Sequence, residues 1–216
     1  MSNEAVRRTN PIAWLFAAVA LVAATPNLVH AQAATLPGTT AGSEVPKAKQ
    51  TSLGLYVTAA QAYEMWKAAP DKVKVIDVRT PEEFAFVGHP EMAWNIPLAF
   101  VTYERKDGTF EYAPKPNPAF VAQVREIAKP TDVLLLTCRS GGRGAMAVNQ
   151  LAADGFTNAY NIVDGIEGDL VKDPQSVFNG KRMVNGWKNS APWVYDIDPE
   201  RVILEEGAAK GFTPAQ

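Results

Sequence analysis

Apolar and polar positions alternate in short segments from about Tyr56 onward, and the period of the pattern changes from segment to segment. Thr58-Ala-Ala-Gln61 is a capping-box pattern that predicts a helix through roughly Ala69, with Ala62, Met65 and Trp66 on one face. Val73 to Val78 reads as a strand running into a turn. Thr80-Pro81-Glu82-Glu83 then supplies an N-cap, a proline at the first helical position and a glutamate three residues past the cap, predicting a short helix that ends near Gly88. Trp94 to Ile96 predicts a brief strand before Pro97. Asn117-Pro118 is expected to open a helix through about Ala128, with Phe120, Val121, Val124 and Ile127 as its apolar stripe. Val133 to Thr137 is a near-continuous apolar run, as expected of a strand buried on both faces of a parallel sheet. A helix to about Ala153 and a short strand over Ala159–Val163 follow. Strands alternating with helices predict an α/β domain around a mainly parallel sheet, and no internal repeat suggests a second domain.

The segments before Tyr56 read differently. Arg7 and Arg8 precede an apolar stretch from Ile12 to Thr25 that is short for a bilayer span, and Val29-His30-Ala31 and Ala31-Gln32-Ala33 place small residues where a signal peptidase cleaves. Residues 1–33 are therefore expected to be a signal peptide and the mature chain periplasmic or otherwise exported, with an uncleaved N-terminal anchor as the alternative. Arg7-Arg8 raises a twin-arginine route, although Thr9-Asn10-Pro11 fits its context poorly. Residues 34–55 are small, polar and punctuated by Pro and Gly, and are read as a linker without a core of its own. The domain is expected over 56–198, with an extension from about residue 169, and 199–216 as a tail.

Composition narrows the function. The chain has 216 residues, 47% hydrophobic and 20% charged, with a formal net charge of -2, enough for one domain with a real core. Loss of residues 1–33 would leave 19 basic and 22 acidic residues. Such a balance gives no polyelectrolyte surface, so nucleic acid is not an expected partner, nor is a membrane once the leader is removed. There is one cysteine, so no internal disulfide forms. With one cysteine and, after leader removal, one histidine, no metal-ligand spacing exists and no cofactor is called for.

That cysteine begins the turn Cys138-Arg139-Ser140-Gly141-Gly142-Arg143-Gly144, between a buried strand and a helix. In open α/β sheets ligands lie beyond the carboxyl ends of strands, and a helix N-terminus there offers unpaired N–H groups. Ser140, Gly141, Gly142 and Gly144 are small enough for the backbone to curl with its amides inward, while Arg139 and Arg143 bracket the curl with positive charge. Amides, helix end and guanidinium groups all favour thiolate, predicting a Cys138 pKa below the free value of about 8.5. The plain alternative is a buried cysteine filling space at a strand end.

Cys138-Arg-Ser-Gly-Gly-Arg143 resembles the active-site loop of the rhodanese family. Ile76-Asp77-Val78-Arg79-Thr80-Pro81-Glu82-Glu83-Phe84 is similar to that family's first signature, and Gly88-His89-Pro90 through Asn95-Ile96-Pro97 to its second. The likeness runs from roughly Tyr56 to Gly168. It implies a sheet of about five strands with helices on both faces and a ping-pong sulfurtransferase. Cys138 would take the outer sulfur of a donor such as thiosulfate as a persulfide and pass it to cyanide or a thiol. Arg139 and Arg143 would hold the anionic donor and the loop amides would stabilise the persulfide. Dual-specificity and arsenate-reducing relatives place five residues between Cys and Arg. This chain has four, Arg139 to Gly142, a ring suited to one sulfur rather than a tetrahedral phosphate.

Asp77 and Arg79 are expected to support the loop from an adjacent strand end, Asp77 bonding loop amides or an arginine and Arg79 pairing with Glu82 or Glu83; a plain surface ion pair is the alternative. His89 is read as part of a turn rather than as a base for Cys138. Phe100–Pro116, with its Asp107-Gly108 turn, is read as a hairpin or lid beside the pocket or as an ordinary surface excursion. Gly186-Trp187 and Ala191-Pro192-Trp193 predict that the stretch after Gly168 packs back on the domain, with a protein-docking surface as the alternative. Two other functions compete: a rhodanese-like module that binds without catalysing, which typically loses its cysteine, and a thiol redox sensor, which would want a resolving cysteine.

Overall fold

The structure, a computed structural model, describes residues 45–101, 105–106, 109–110 and 114–203. The expected leader, residues 34–44 of the expected linker, the Asp107-Gly108 turn and residues 204–216 lie outside the described residues. Five strands build the central sheet: β1 (Tyr56–Val57), β2 (Val73–Asp77), β3 (Trp94–Asn95), β8 (Val133–Thr137) and β9 (Ala159–Ile162). Their spatial order is β1-β9-β8-β2-β3, and every pairing is parallel. Leu134, Leu135 and Leu136 of the middle strand are each fully buried, which is why β8 has no polar alternation.

Successive side chains of a strand point to opposite faces, so the sheet serves two cores. Ile76, Leu134 and Leu136 meet α3 (Phe120–Ile127) and α4 (Gly142–Ala153) through Phe120, Val124, Val148 and Leu151. Val75, Leu135 and Ile162 meet α1 (Ala59–Ala68), α2 (Pro81–Val87) and α5 (Trp187–Ser190) through Ala62, Met65, Phe84 and Trp187. Both expected capping boxes form. The Thr58 hydroxyl accepts from Gln61 N–H while Gln61 Oε1 accepts from Thr58 N–H, and Thr80 and Glu83 repeat the exchange.

Three expectations are corrected. Helix α3 starts at Phe120 rather than at Asn117, because the Asn117 amide donates to Pro97 O and Gln123 Oε1 and its side-chain oxygen accepts from Ala119 N–H, closing a turn first. Residues 45–55 are not a free linker. Val45 is buried, Lys47–Lys49 form a 3₁₀ turn, Ser52 N–H donates to Asn149 Oδ1 and Leu53 packs on the α3/α4 core. The tail is joined to the domain through residue 203, since Ile203 N–H donates to Asn95 O. The 100–116 excursion pairs antiparallel, β4 (Ala99–Val101) with β7 (Pro114–Pro116) and β5 (Arg105–Lys106) with β6 (Thr109–Phe110).

Beyond the sheet, β10 (Asp169–Leu170) and β11 (Arg182–Val184) pair antiparallel, and α5 turns the chain back onto α1. Trp187 is wholly buried, its indole donates to Pro192 O at 2.8 Å, and its ring meets Tyr63 edge-on at 6.0 Å. His89 exchanges both backbone bonds with Val194, stacks on Phe84 at 3.5 Å between centroids, and places Nδ1 3.0 Å from Phe84 O, which makes Nδ1 the protonated nitrogen. Gly88 before it has φ +89°, and a Cβ there would stand 2.6 Å from the Trp193 ring.

Among the described residues no helix is long and apolar enough to cross a membrane. Trp187→Ala should cost about 3–5 kcal/mol, read as a fall in the urea midpoint. Burial pushes the His89 imidazole below its ordinary pKa, against the pull of the Phe84 carbonyl. The unfolded chain therefore takes up that proton first, so the ring's contribution to stability is complete above about pH 6.5 and shrinks as pH falls below it. The stability gap between wild type and His89→Asn, measured by urea unfolding at pH 7.5 and 5.5, should narrow at the lower pH.

Candidate active site

Strand β8 delivers Cys138 to the carboxyl edge of the sheet, and α4 begins four residues later. The cysteine is 1% exposed. Its Sγ accepts the Gly141 N–H at 3.2 Å, so the curl closes on the sulfur. Gly141 has φ +95°, the left-handed region, and a Cβ on it would lie 2.3 Å from Val163 O; this position demands glycine twice over. Gly142 has no such need, since its nearest neighbour would be 3.9 Å from a Cβ. The amides of Gly142, Arg143 and Gly144 open α4 and have no carbonyl one turn behind them within the helix. Ser140 is half-buried beside them.

The loop is seated on the turn after β9. Ile166 N–H donates to Cys138 O at 2.8 Å and Glu167 N–H to Arg139 O at 3.0 Å. A Cβ on Gly165 would stand 2.4 Å from Cys138 O. The Asp164 carboxylate holds this turn by accepting from Ala59 N–H and Gly186 N–H, each at 2.8 Å; burial raises its pKa despite these donors.

The two loop arginines do not stand free. Arg143 forms a two-pronged pair with Glu83, Nη1 to Oε2 at 2.6 Å and Nη2 to Oε1 at 2.7 Å, and Arg139 pairs with Glu167 at 3.0 Å. Burial alone would raise the Glu83 pKa, but the hydrogen bonds and charge of Arg143 leave it below the ordinary value, while the Glu83 contact raises that of Arg143. Positive charge around the curl is thus balanced by carboxylates.

Arg79 does not pair with Glu82 or Glu83. Its Nε and Nη2 grip the Asp77 carboxylate, the shortest contact 2.7 Å, and Nη2 also donates to Gly88 O. Both side chains are fully buried, so the pair is an internal brace between β2 and the end of α2 rather than a surface contact. The reason is geometric: Arg79 turns back along its own strand end, leaving Glu83 to Arg143. Asp77 bonds an arginine, as expected, but the arginine is not one of the loop. Its backbone still borders the loop strand, opposite Thr137. His89 is held by Phe84 and Val194, away from any bond to the sulfur.

Sequence reading does not find Asp164, Gly165, Glu167 or Asn161, which hold the loop from β9 and the turn after it. Asn161 of β9 is fully buried, and its Nδ2 donates to Gly141 O at 3.0 Å and to Lys49 O at 2.9 Å. Its Oδ1 is buried without a partner and a Cβ on Gly144 would reach it at 2.5 Å. Asn161 therefore fixes Gly141, the residue whose N–H meets the sulfur. The one signal was a polar side chain inside an otherwise apolar strand.

The family model of the rhodanese-like domain matches residues 58–170. Thiosulfate sulfurtransferase 16, chloroplastic, of Arabidopsis thaliana is 36% identical over 92 residues, 43% of this chain and 69% of the relative. Senescence-associated protein DIN1 of Raphanus sativus is 37% identical over 92 residues, 43% of this chain. The chain spans about half the length of some curated relatives, 45% of DIN1 and 49% of the Arabidopsis mitochondrial protein HIGH ARSENIC CONTENT 1. Among solved structures, the crystal structure of Rv0390 from M. tuberculosis aligns over 65% of this chain and 96% of its own, with a TM-score of 0.50 and 30% identity. The match covers more than half of the chain and contains four of the five strands of the parallel sheet, all but β1, together with the whole Cys138 loop, and the chain belongs to the rhodanese-like domain family.

Proposed function

We propose that the chain is a sulfurtransferase that carries sulfane sulfur on Cys138, taking it from a donor such as thiosulfate and giving it to cyanide or a thiol. The observation that carries this reading is the Gly141 N–H directed at Sγ where the central strand ends and α4 begins. A relative named as a thiosulfate sulfurtransferase supports the same chemistry. The Cys138 thiolate attacks the outer sulfur of thiosulfate, a new S–S bond forms, the old one breaks, and its electron pair leaves with sulfite. An acceptor thiolate or cyanide then attacks the outer sulfur of the persulfide and the Cys138 thiolate is regenerated. The amides at the start of α4 stabilise the outer sulfur as charge develops on it.

The family resemblance implies that Arg139 and Arg143 hold the anionic donor. With Glu167 and Glu83 on them, their role in this reading is to hold the curl in shape, while backbone N–H groups receive the charge. The leader pattern in residues 1–33 supports an exported location for the mature enzyme. The 1% exposure of Cys138 among apolar neighbours favours a second reading, a rhodanese-like module that binds without catalysing.

Mass spectrometry of the purified chain after thiosulfate should show a gain of one sulfur on Cys138, removed by cyanide, and Cys138→Ser should gain none. No gain with thiosulfate or with a persulfide donor would favour the binding module. Asn161→Ala should lower kcat by about tenfold to a hundredfold, because Gly141 loses its anchor, with a smaller change in KM for thiosulfate. An unchanged kcat in steady-state thiocyanate formation would remove Asn161 from the site.

A further inference from the structure

The chain has structure on both sides of the family match, and residues of both flanks line one cleft beside Ser140 of the Cys138 loop. Lys49 Nζ, from the segment before the match, lies 3.4 Å from Asp169 Oδ1, in β10 at the end of the match. Next to this contact is a cleft of about 560 Å³, with Ser140 of the loop, Lys49, Asp164, Asp169, Lys172 and Arg182 among its walls. A volume of that size suits a small molecule of several heavy atoms rather than a single ion.

The charges in the cleft are not equally committed. Asp164 spends its two oxygens on the N–H groups of Ala59 and Gly186. Asp169 is occupied by Lys49 and by Asn185 Nδ2 at 2.9 Å. Lys172 is exposed and, among the described residues, makes no ion pair. Arg182 gives Nη1 to Gly168 O at 2.7 Å, yet its Nε is buried without an acceptor. Leaving such a donor buried and unpaired is costly, and the side chain that carries it lines the cleft. The carboxylates are satisfied, the charge of Arg182 bears on Asp169, already held by Lys49 and Asn185, and Lys172 has no carboxylate partner among the described residues, so the cleft has charge to offer an added anion.

We infer that this cleft receives the carboxylate of an anionic thiol acceptor, which Lys172 and Arg182 hold while its sulfur reaches the loaded loop past Ser140. The inference rests on the sulfurtransferase reading above and names its acceptor class. The acceptor thiolate attacks the outer sulfur of the Cys138 persulfide, the bond from that sulfur to Sγ breaks, and its electrons return to Cys138 as thiolate. The acceptor leaves as its own persulfide. Both selecting residues lie beyond residue 170, so the preference belongs to this chain's extension and not to the matched domain.

Three thiols of nearly equal length carry different charges at the far end: 3-mercaptopropionate, 2-mercaptoethanol and cysteamine. Protein preloaded with sulfur should discharge to 3-mercaptopropionate with a half-saturating concentration, corrected to thiolate, about three- to tenfold below that for 2-mercaptoethanol, with cysteamine the weakest. The preference should fall in 0.5 M salt. Lys172→Glu changes an exposed side chain that makes no hydrogen bond among the described residues, and should lower or reverse the ratio between 3-mercaptopropionate and cysteamine. Arg182→Gln should lower it as well. Equal discharge to all three thiols, or a ratio indifferent to Lys172→Glu, overturns the cleft assignment alone. A chain that gains no sulfur from any donor overturns the sulfurtransferase reading instead.

Discussion

The Cys138 loop has no spare room, and the rest of the site follows from that. Two stretches of backbone, Cys138–Gly141 and Val163–Glu167, are pressed together closely enough that glycine is required on both sides of the contact, at Gly141 and at Gly165. Two N–H···O bonds, from Ile166 and Glu167, pin the loop to the turn. The curl is thereby dictated by the neighbouring chain rather than by its own preference, and its tightness is what brings an amide onto the sulfur. The dependence continues outward. Asp164 ties the same turn to the start of α1 and to the residue before Trp187, so the burial of an indole in the extension helps to fix the shape of a loop on the carboxyl edge of the sheet.

Charge is arranged in pairs around this frame. The Asp77–Arg79 pair is wholly buried and braces the end of β2 to the end of α2. Arg143–Glu83 joins α4 to α2, and Arg139–Glu167 joins the loop to the turn that seats it. A buried ion pair is weak support for stability by itself, because desolvation offsets most of the attraction, but removing one partner leaves an uncompensated charge. The three pairs are better understood as fixing the geometry of elements than as adding stability.

Much of the fold is legible in sequence because its signals are local. The capping boxes at Thr58 and Thr80 need only four consecutive residues, and the apolar run at Val133–Thr137 needs only its own burial. The Cys138 loop is legible for the same reason. What escapes is contact between distant residues. Glu83 announces itself as a helix cap, and nothing nearby says that it also reaches Arg143, sixty residues on. Asn161 sits in a strand where alternation says little, and its partners, Gly141 and Lys49, lie in two other segments. Residues 45–55 have the composition of a linker, yet they dock largely through backbone groups and the few apolar side chains Val45 and Leu53, which composition does not weigh. Asn117 carries the preference of a helix cap, but a better use for its amide, against Pro97 and Gln123, delays the helix.

The bond from Asn161 to the Lys49 carbonyl bears on how such a chain is divided. The same amide nitrogen holds the Cys138 loop and the stretch of chain that precedes the matched domain. A fragment cut at residue 58 would keep every signature by which the family is known and would lose half of what Asn161 grips. The piece of this protein that is built together is therefore larger than its recognisable piece, and one of the bonds that ties on the surplus ends at an ordinary lysine carbonyl.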